Sequence, residues 1–377
     1  MASYKIANGY SGPTVANGRV YITDRLVSPT QVERVHCFNA LNGNKNWSYT
    51  YECKYEKVEH RDGPRASIII DEKRAYSIGT MGHLFCFNAE KGDALWNINL
   101  DSEYKIKIPI WGIAASPLIE KDLIIVQIGG SDNACLVAFD KVSGEEQWRA
   151  LNDPASYSAP IIIEQADKRV LVCWTGKRIV GLNPLTGKLY WQYSSPPSRM
   201  VHNIVTPVFH NNYLFVSSFY DGSILLKIDP NRLAIEKVWQ RRGHNEQRTE
   251  SLHCCMSTPI MQDDYIYGVD SYGELRCLDL KTGDRIWESL DAVPKKRWAN
   301  IHMVRNQDKI WMFNESGELI ISKFSPKGFH EISRVKLINP SRGQHSRGVC
   351  WSHPAFANKH IYVRNDEELI CVNLSAE

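Results

Sequence analysis

A phrase made of an apolar pair, Asn or Asp, a few polar residues, often Gly, and then Trp returns about every 48 residues along this chain. It is legible at Phe38, Asn39, Gly43 and Trp47, at Phe87, Asn88, Gly92 and Trp96, and at Phe139, Asp140, Gly144 and Trp148. Leu182, Asn183, Gly187 and Trp191 repeat it, as do Leu278, Asp279, Gly283 and Trp287, and a looser copy ends at Trp239. Self-similarity at such a period means that each unit is one supersecondary module whose apolar face is buried only against its neighbours. At this spacing the 377 residues hold about eight units.

Inside a unit, short β-branched and aromatic runs are broken by Gly, Asn and Asp turn signals. In the unit ending at Trp287, residues 258–261, 265–269, 274–279 and 285–288 read as four antiparallel strands around turns at 271–273 and 281–284. Four short strands repeated eight times predict an all-β fold, an eight-bladed β-propeller in a single domain spanning 1–377. Radial closure removes the exposed sheet edges that a linear stack would have to cap. The last unit stops at Glu377 before any Trp-bearing fourth strand, while Ser3–Ala7 has the length of one strand ahead of the first unit. The N-terminal strand is therefore expected to complete the last blade and close the ring.

The slot just ahead of the Phe/Leu–Asn/Asp pair holds Cys37, Cys86, Ala138, Gly181, Cys277 and Cys371, small residues apart from Lys227. Cysteine there acts as a small hydrophobe, and equivalent positions one blade apart lie too far for bridging, so no disulfide framework is expected. The repeated Trp is read as a plate packing between blades. A net charge of +3 gives no field that calls for nucleic acid. No run approaches the length of a membrane span, and the first 30 residues carry no apolar segment like a signal peptide.

The repeats, with the stretches 108–117, 152–160 and 349–357, resemble the pyrroloquinoline-quinone (PQQ) repeat superfamily of eight-bladed propellers, and the similarity covers the whole chain. It is strongest to the single-domain PQQ-binding-like group of planctomycete-type bacteria. More distantly it extends to the outer-membrane barrel-assembly propeller lipoprotein and to quinoprotein alcohol dehydrogenases. The resemblance implies export to the periplasm and admits PQQ with calcium as cofactor. The chain lacks the long insertions of the dehydrogenases and a convincing carboxylate set for calcium. It does carry adjacent cysteines, Cys254 and Cys255, as those enzymes do beside the quinone, and this pair is the redox candidate; the alternative is two small residues leading into an inner strand.

Inter-blade connections, together with the turns between second and third strands, are expected to gather on one face. There the sequence is rich in Arg, His and aromatics: Arg65, Trp111, Tyr157, His202, His253, Arg297 and Trp351, with Asp221, Glu315 and Asp366 in the facing turns. Such a rim suits a polyhydroxylated or anionic small molecule, or a protein ligand, with aromatics stacking and Arg supplying forked hydrogen bonds. At the residue before the strand-starting Pro, or its equivalent, the chain reads Gly12, Ser67, Ser116, Ala159, Thr206, Thr258, His302 and His353. Two histidines in place of small residues make His302 and His353 the metal or proton-relay candidate. Three function classes stay open at this point: a binding or scaffold propeller, a quinoprotein-like dehydrogenase of alcohols, sugars or polyols, and a metal- or His-assisted carbohydrate-active enzyme.

Overall fold

In the computed structural model, which describes residues 2–342 and 347–375, every repeat folds into a four-stranded antiparallel sheet. The eight sheets occupy 14–52, 69–99, 118–150, 161–194, 208–241, 260–289, 301–336 and 355–373 with Ala2–Lys5, numbered here as blades 1 to 8. The fold is an eight-bladed β-propeller. Blade 6 has strands Ile260–Gln262, Tyr265–Val269, Leu275–Asp279 and Arg285–Ser289, within two residues of the sequence reading. One short helix, Leu100–Tyr104, follows blade 2 and accounts for part of the longest Trp-to-Trp interval; Asn99 caps it by accepting from the N–H groups of Asp101 and Ser102. Tertiary contacts group the blades into two units of four: residues 1–155 with 337–377, and residues 156–336.

The recurring phrase has a physical cause at each letter. The Asn or Asp side chain accepts from the N–H groups two and three residues on, as Asn39 does from Leu41 and Asn42, and Asp279 from Lys281 and Thr282. The Gly four residues after it donates its N–H to the carbonyl of the same Asn or Asp, as in Gly92 to Asn88. Gly92 has φ +81, and a Cβ there would lie 2.6 Å from the Trp47 ring of the preceding blade. The turn of one blade is thus the seat for the Trp of the blade before it. The Trp47 indole N–H donates to the Ala89 carbonyl at 3.0 Å and the Trp239 indole to Leu280 at 2.8 Å. Blade 5 lacks the turn glycine. There the side chain of Gln165 takes its place, accepting from Trp191 and donating to the carbonyls of Asp229, Arg232 and Ala234.

The small slot is the residue paired directly with the Trp across the outer two strands. Cys37 faces Trp47, Cys86 faces Trp96, Ala138 faces Trp148, Gly181 faces Trp191 and Cys277 faces Trp287. Each is followed at once by a register shift. In blade 5 the residue facing Trp239 is Leu225, not Lys227, which pairs with Glu236. The outer hairpin there runs three pairs beyond the Trp before it turns, two more than in blades 1 and 6, so counting back from Asp229 lands in the wrong place. All ten cysteines are buried thiols.

In the first unit, Ala2–Lys5 pairs antiparallel with Glu368–Asn373, from Ala2 opposite Cys371 to Lys5 opposite Glu368. The terminal strand completes blade 8 as the sequence predicts. Its Tyr4 and Ile6 are buried with Val20, Ile22, Phe38 and Tyr362. Behind it Asp24, wholly buried, accepts from the Ala7 N–H at 2.7 Å and from both arms of Arg34 at 2.7 Å, with His36 Nε2 at 3.1 Å. Burial alone would raise this carboxyl. The hydrogen bonds and charges of His36 and Arg34 more than offset that and hold it well below the usual carboxylate range.

Candidate functional site

The first unit brings residues from four separate connections into one cluster. Tyr10 comes from the segment after the closing strand, His60 and Arg65 from the blade 1–2 loop, Trp111 from the blade 2–3 loop and Trp351 from the segment before blade 8. The His60 ring lies 6.1 Å from both Trp111 and Trp351, and Tyr10 stacks on Trp351 at 6.5 Å and 28°. Arg65 sits 5.2 Å over the Tyr10 ring and donates to the carbonyls of Gly63, Glu59 and His60. Arg65 therefore organises the loop that presents His60 and Asp62, and its guanidinium is the cationic cover of an aromatic surface.

Beside the cluster lies a cleft lined by Gly9, Tyr10, Asp62, Trp351, Arg364 and Asp366, with Ser341, Val349, Cys350, Ser352 and Asn365 completing it. Tyr10 donates to Asp62 at 2.7 Å, and burial, together with that carboxylate, pushes the phenol well above its ordinary range. Asp366 accepts from the Ser341 hydroxyl at 2.5 Å. Arg364 is 1% exposed and donates to the carbonyls of Thr23, Ala7 and Asn365 at 2.8, 2.5 and 3.0 Å. Burial lowers it to about 10 against the pull of Asp366 and Asp24.

Tyr10, Asp62 and Arg364 were not singled out by sequence reasoning, whereas Trp351 and Asp366 were. The available signal was Arg364 itself, a charged residue at the inner end of the apolar run Ile361–Val363, all of it buried. His353, in the same segment as Trp351, places Nε2 3.2 Å from the Ser67 hydroxyl, and that hydroxyl donates to the Gly12 carbonyl. A Cβ on Gly12 would fall 2.4 Å from the His353 ring, so the small residue at the start of blade 1 is what the imidazole needs.

In the second unit, His202 and His253 are buried. The Gly243 N–H donates to His253 Nε2 at 3.1 Å, so Nδ1 carries the proton and donates to the Phe219 carbonyl at 2.9 Å. Burial lowers its basicity. His202 stacks on Phe219 at 5.1 Å, with its Nε2 4.0 Å from Cys255 Sγ. Cys254 is fully enclosed, its N–H on the Ser217 hydroxyl, and burial pushes its thiol up to about 12. Arg297 forms a two-pronged pair with Glu246 at 2.6 and 2.9 Å, while lying 4.4 Å over Trp298 and 5.5 Å over Phe219. The buried Tyr157 donates its N–H to the Asn203 carbonyl. His302 accepts from the Asn300 amide at 3.0 Å through Nε2, and Asn300 in turn accepts from Ser257. Among the described residues no group of three or more His, Cys, Asp or Glu side chains is arranged to hold a cation. Nor does any described helix have the length and apolarity to cross a membrane.

Residues 31–289 match the family model described as PQQ_2, outer membrane protein assembly factor BamB. The chain is 25% identical over 157 residues to the BamB of Nitrosomonas eutropha and 22% identical over 208 residues to that of Shewanella oneidensis. These alignments cover 40% and 53% of the chain, and only 36% and 50% of the relatives' own length. Among solved structures, BamB from Moraxella catarrhalis superposes with a TM-score of 0.64 at 16% identity, covering 98% of this chain and 96% of that one. The quinohemoprotein alcohol dehydrogenase of Comamonas testosteroni gives 0.61 at 12% identity, covering 97% of this chain and 72% of that one. At these identities the superpositions speak for the fold alone.

Proposed function

The chain belongs to the PQQ-like repeat family described as outer membrane protein assembly factor BamB, and from that premise we propose that it is a binding and scaffold propeller. Its loop face in the first unit takes a polyhydroxylated or anionic ligand, free or carried by a partner protein. One observation carries this reading: Tyr10, His60, Trp111 and Trp351, drawn from four connections, are held ring against ring beside a polar cleft. The blades are packed through their Trp seats and have no need of this second aromatic assembly. Loops that spend side-chain order on a half-buried aromatic surface are the usual place for recognition.

The test is a thermal-shift panel of neutral sugars, sugar acids and sugar phosphates, run on the wild type and on Trp351→Ala. A ligand at 100 times its Kd adds about 2.7 kcal/mol to folded-state stability, a clear rise in melting temperature. The reading expects at least one member to raise the wild-type midpoint and to lose that effect in Trp351→Ala. A panel that moves neither protein overturns it.

A second reading, a quinoprotein-like dehydrogenase, is favoured by the adjacent Cys254 and Cys255. The residues around them do not fit the quinone: Cys254 is 0% and Cys255 7% exposed, and the described residues supply no cation-holding cluster beside them. No step is derived through PQQ. Addition of PQQ and calcium, followed by dye-linked alcohol oxidation, tests this alternative directly. Elemental analysis of protein purified without chelators tests His302 and His353 as metal ligands.

A further inference from the structure

We propose that the cleft between Tyr10, Asp62, Trp351, Arg364 and Asp366 is a subsite for a neutral sugar, which enters by an edge bearing neighbouring hydroxyls while its ring face lies on Trp351. This rests on the binding reading above and narrows it to one chemical class and one set of atoms.

The polar groups set the class. Arg364 is buried and, among the described residues, forms no ion pair. Its three nitrogens each donate to a main-chain carbonyl, which accounts for three of its five N–H groups. A guanidinium enclosed without a paired carboxylate is costly, and an oxygen-bearing ligand at the cleft wall relieves that cost. Two carboxylates line the same cleft. Asp366 is oriented by Ser341 and by the longer 3.4 Å contact from the Gly9 N–H, and a carboxylate with two such donors still has room for two more. Asp62 is oriented by Tyr10.

An acceptor, a donor and a second acceptor therefore line one cleft. A carboxylate or phosphate ligand would meet Arg364 but be repelled by two carboxylates. A cation would meet the carboxylates but also the enclosed guanidinium. A hydroxyl both donates and accepts, so a pair of adjacent hydroxyls serves Arg364 and Asp366 together without adding charge. The Trp351 ring, held by its stack on Tyr10, supplies the apolar plate against which the C–H face of a sugar packs. The enclosed space is only ≈ 20 Å³, so an edge enters and the rest of the ring stays outside.

Isothermal titration with the methyl pyranosides of glucose, galactose and mannose, alongside glucuronate and glucosamine, reads the proposal on the full chain. Binding of at least one neutral glycoside, about tenfold or more tighter than glucuronate and glucosamine, is expected. Asp366→Asn, which keeps the shape and the Ser341 contact, should weaken it by about tenfold or more with an unchanged melting temperature. Deoxy analogues of the bound glycoside give the same information without altering the protein: removal of one of the two neighbouring hydroxyls should cost a similar factor. Tighter binding of glucuronate or glucosamine than of any neutral glycoside overturns the proposal. So does neutral binding that is lost in Trp351→Ala but stays within about twofold in Asp366→Asn, although the aromatic binding face then stands. No binding of any member by the wild type overturns the sugar subsite, while the broader binding reading is decided separately by the thermal-shift panel.

Discussion

The Tyr4 hydroxyl donates to the Ala40 carbonyl over 3.1 Å, and the two residues sit in the closing strand and in the turn of blade 1. In blades 1 and 2 the same kind of carbonyl receives an indole N–H and a second-strand tyrosine together: Trp47 and Tyr21 on Ala89, Trp96 and Tyr76 on Lys141. In blade 8 the two donors are Tyr4 and Tyr362, the latter at 3.2 Å. A tyrosine from the opposite end of the chain thus does for blade 8 what tryptophan does elsewhere, although Tyr4 pairs with Leu369 and not with the small slot at Cys371.

Tyr4→Phe should cost about 1 kcal/mol, the value of one hydrogen bond. Deletion of residues 2–8 removes two buried side chains and a strand ladder, and should cost on the order of 5 kcal/mol. Urea denaturation of both variants measures the pair. A deletion that leaves the midpoint where it was would show that the strand is an appendage and not the completion of blade 8.

The Gly181 slot has no spare room. A Cβ there would sit 2.2 Å from the Trp191 indole, so Gly181→Ala should destabilise by about 1–3 kcal/mol through overpacking. Cys86→Ala, at an equivalent position where a side chain already fits, should cost less than Gly181→Ala. The reverse order in thermal melts would refute the pairing of slot and tryptophan.

Asp24 couples the closing strand to blade 1 through Ala7, Arg34 and His36. Its carboxyl is held low in the folded state, so the stability it contributes is present above its unfolded value near pH 3.8 and is lost as pH falls below that. Asp24→Asn should cost about 3 kcal/mol at neutral pH and flatten the acid limb of the stability profile. A variant with the wild-type acid limb would remove Asp24 from this role.

His253 acts on the same acid side as Asp24 but begins at higher pH. Its folded form is neutral and less basic than the ordinary 6.5, so the unfolded chain takes up the proton first. Full stability is kept above about pH 6.5 and declines as pH drops toward the folded value, by up to about 1.4 kcal/mol per pH unit. His253→Asn, which retains a donor for the Phe219 carbonyl, should be less stable at pH 8 but show a shallower decline as pH falls below about 6.5. Parallel declines in the two proteins would count against it.

Cys254, enclosed and with its thiol raised to about 12, should resist iodoacetamide at pH 8 in the native protein and react only on unfolding. Mass spectrometry after timed labelling reads this. Alkylation of Cys254 within minutes under native conditions would show an accessible pair and move the balance toward the redox reading.

The local grammar of this protein lies in its sequence. Asn and Asp cap turns through contacts two and three residues away, Gly supplies the positive φ, and the Trp and its small partner recur at set distances, so eight four-stranded blades and the donated terminal strand could be read by counting. Counting failed at Lys227, where two additional pairs in the outer hairpin shifted the register to Leu225 without leaving a composition signal. The candidate site was legible only in part for a related reason. Trp351, Trp111, Arg65 and Asp366 announce themselves by falling in loops and turns, but Tyr10, Asp62 and Arg364 do not, and the cleft joins segments up to 357 residues apart, as the Gly9–Asp366 contact marks. Which loop side chains share a cleft is decided by how neighbouring blades pack, and that packing belongs to no single repeat.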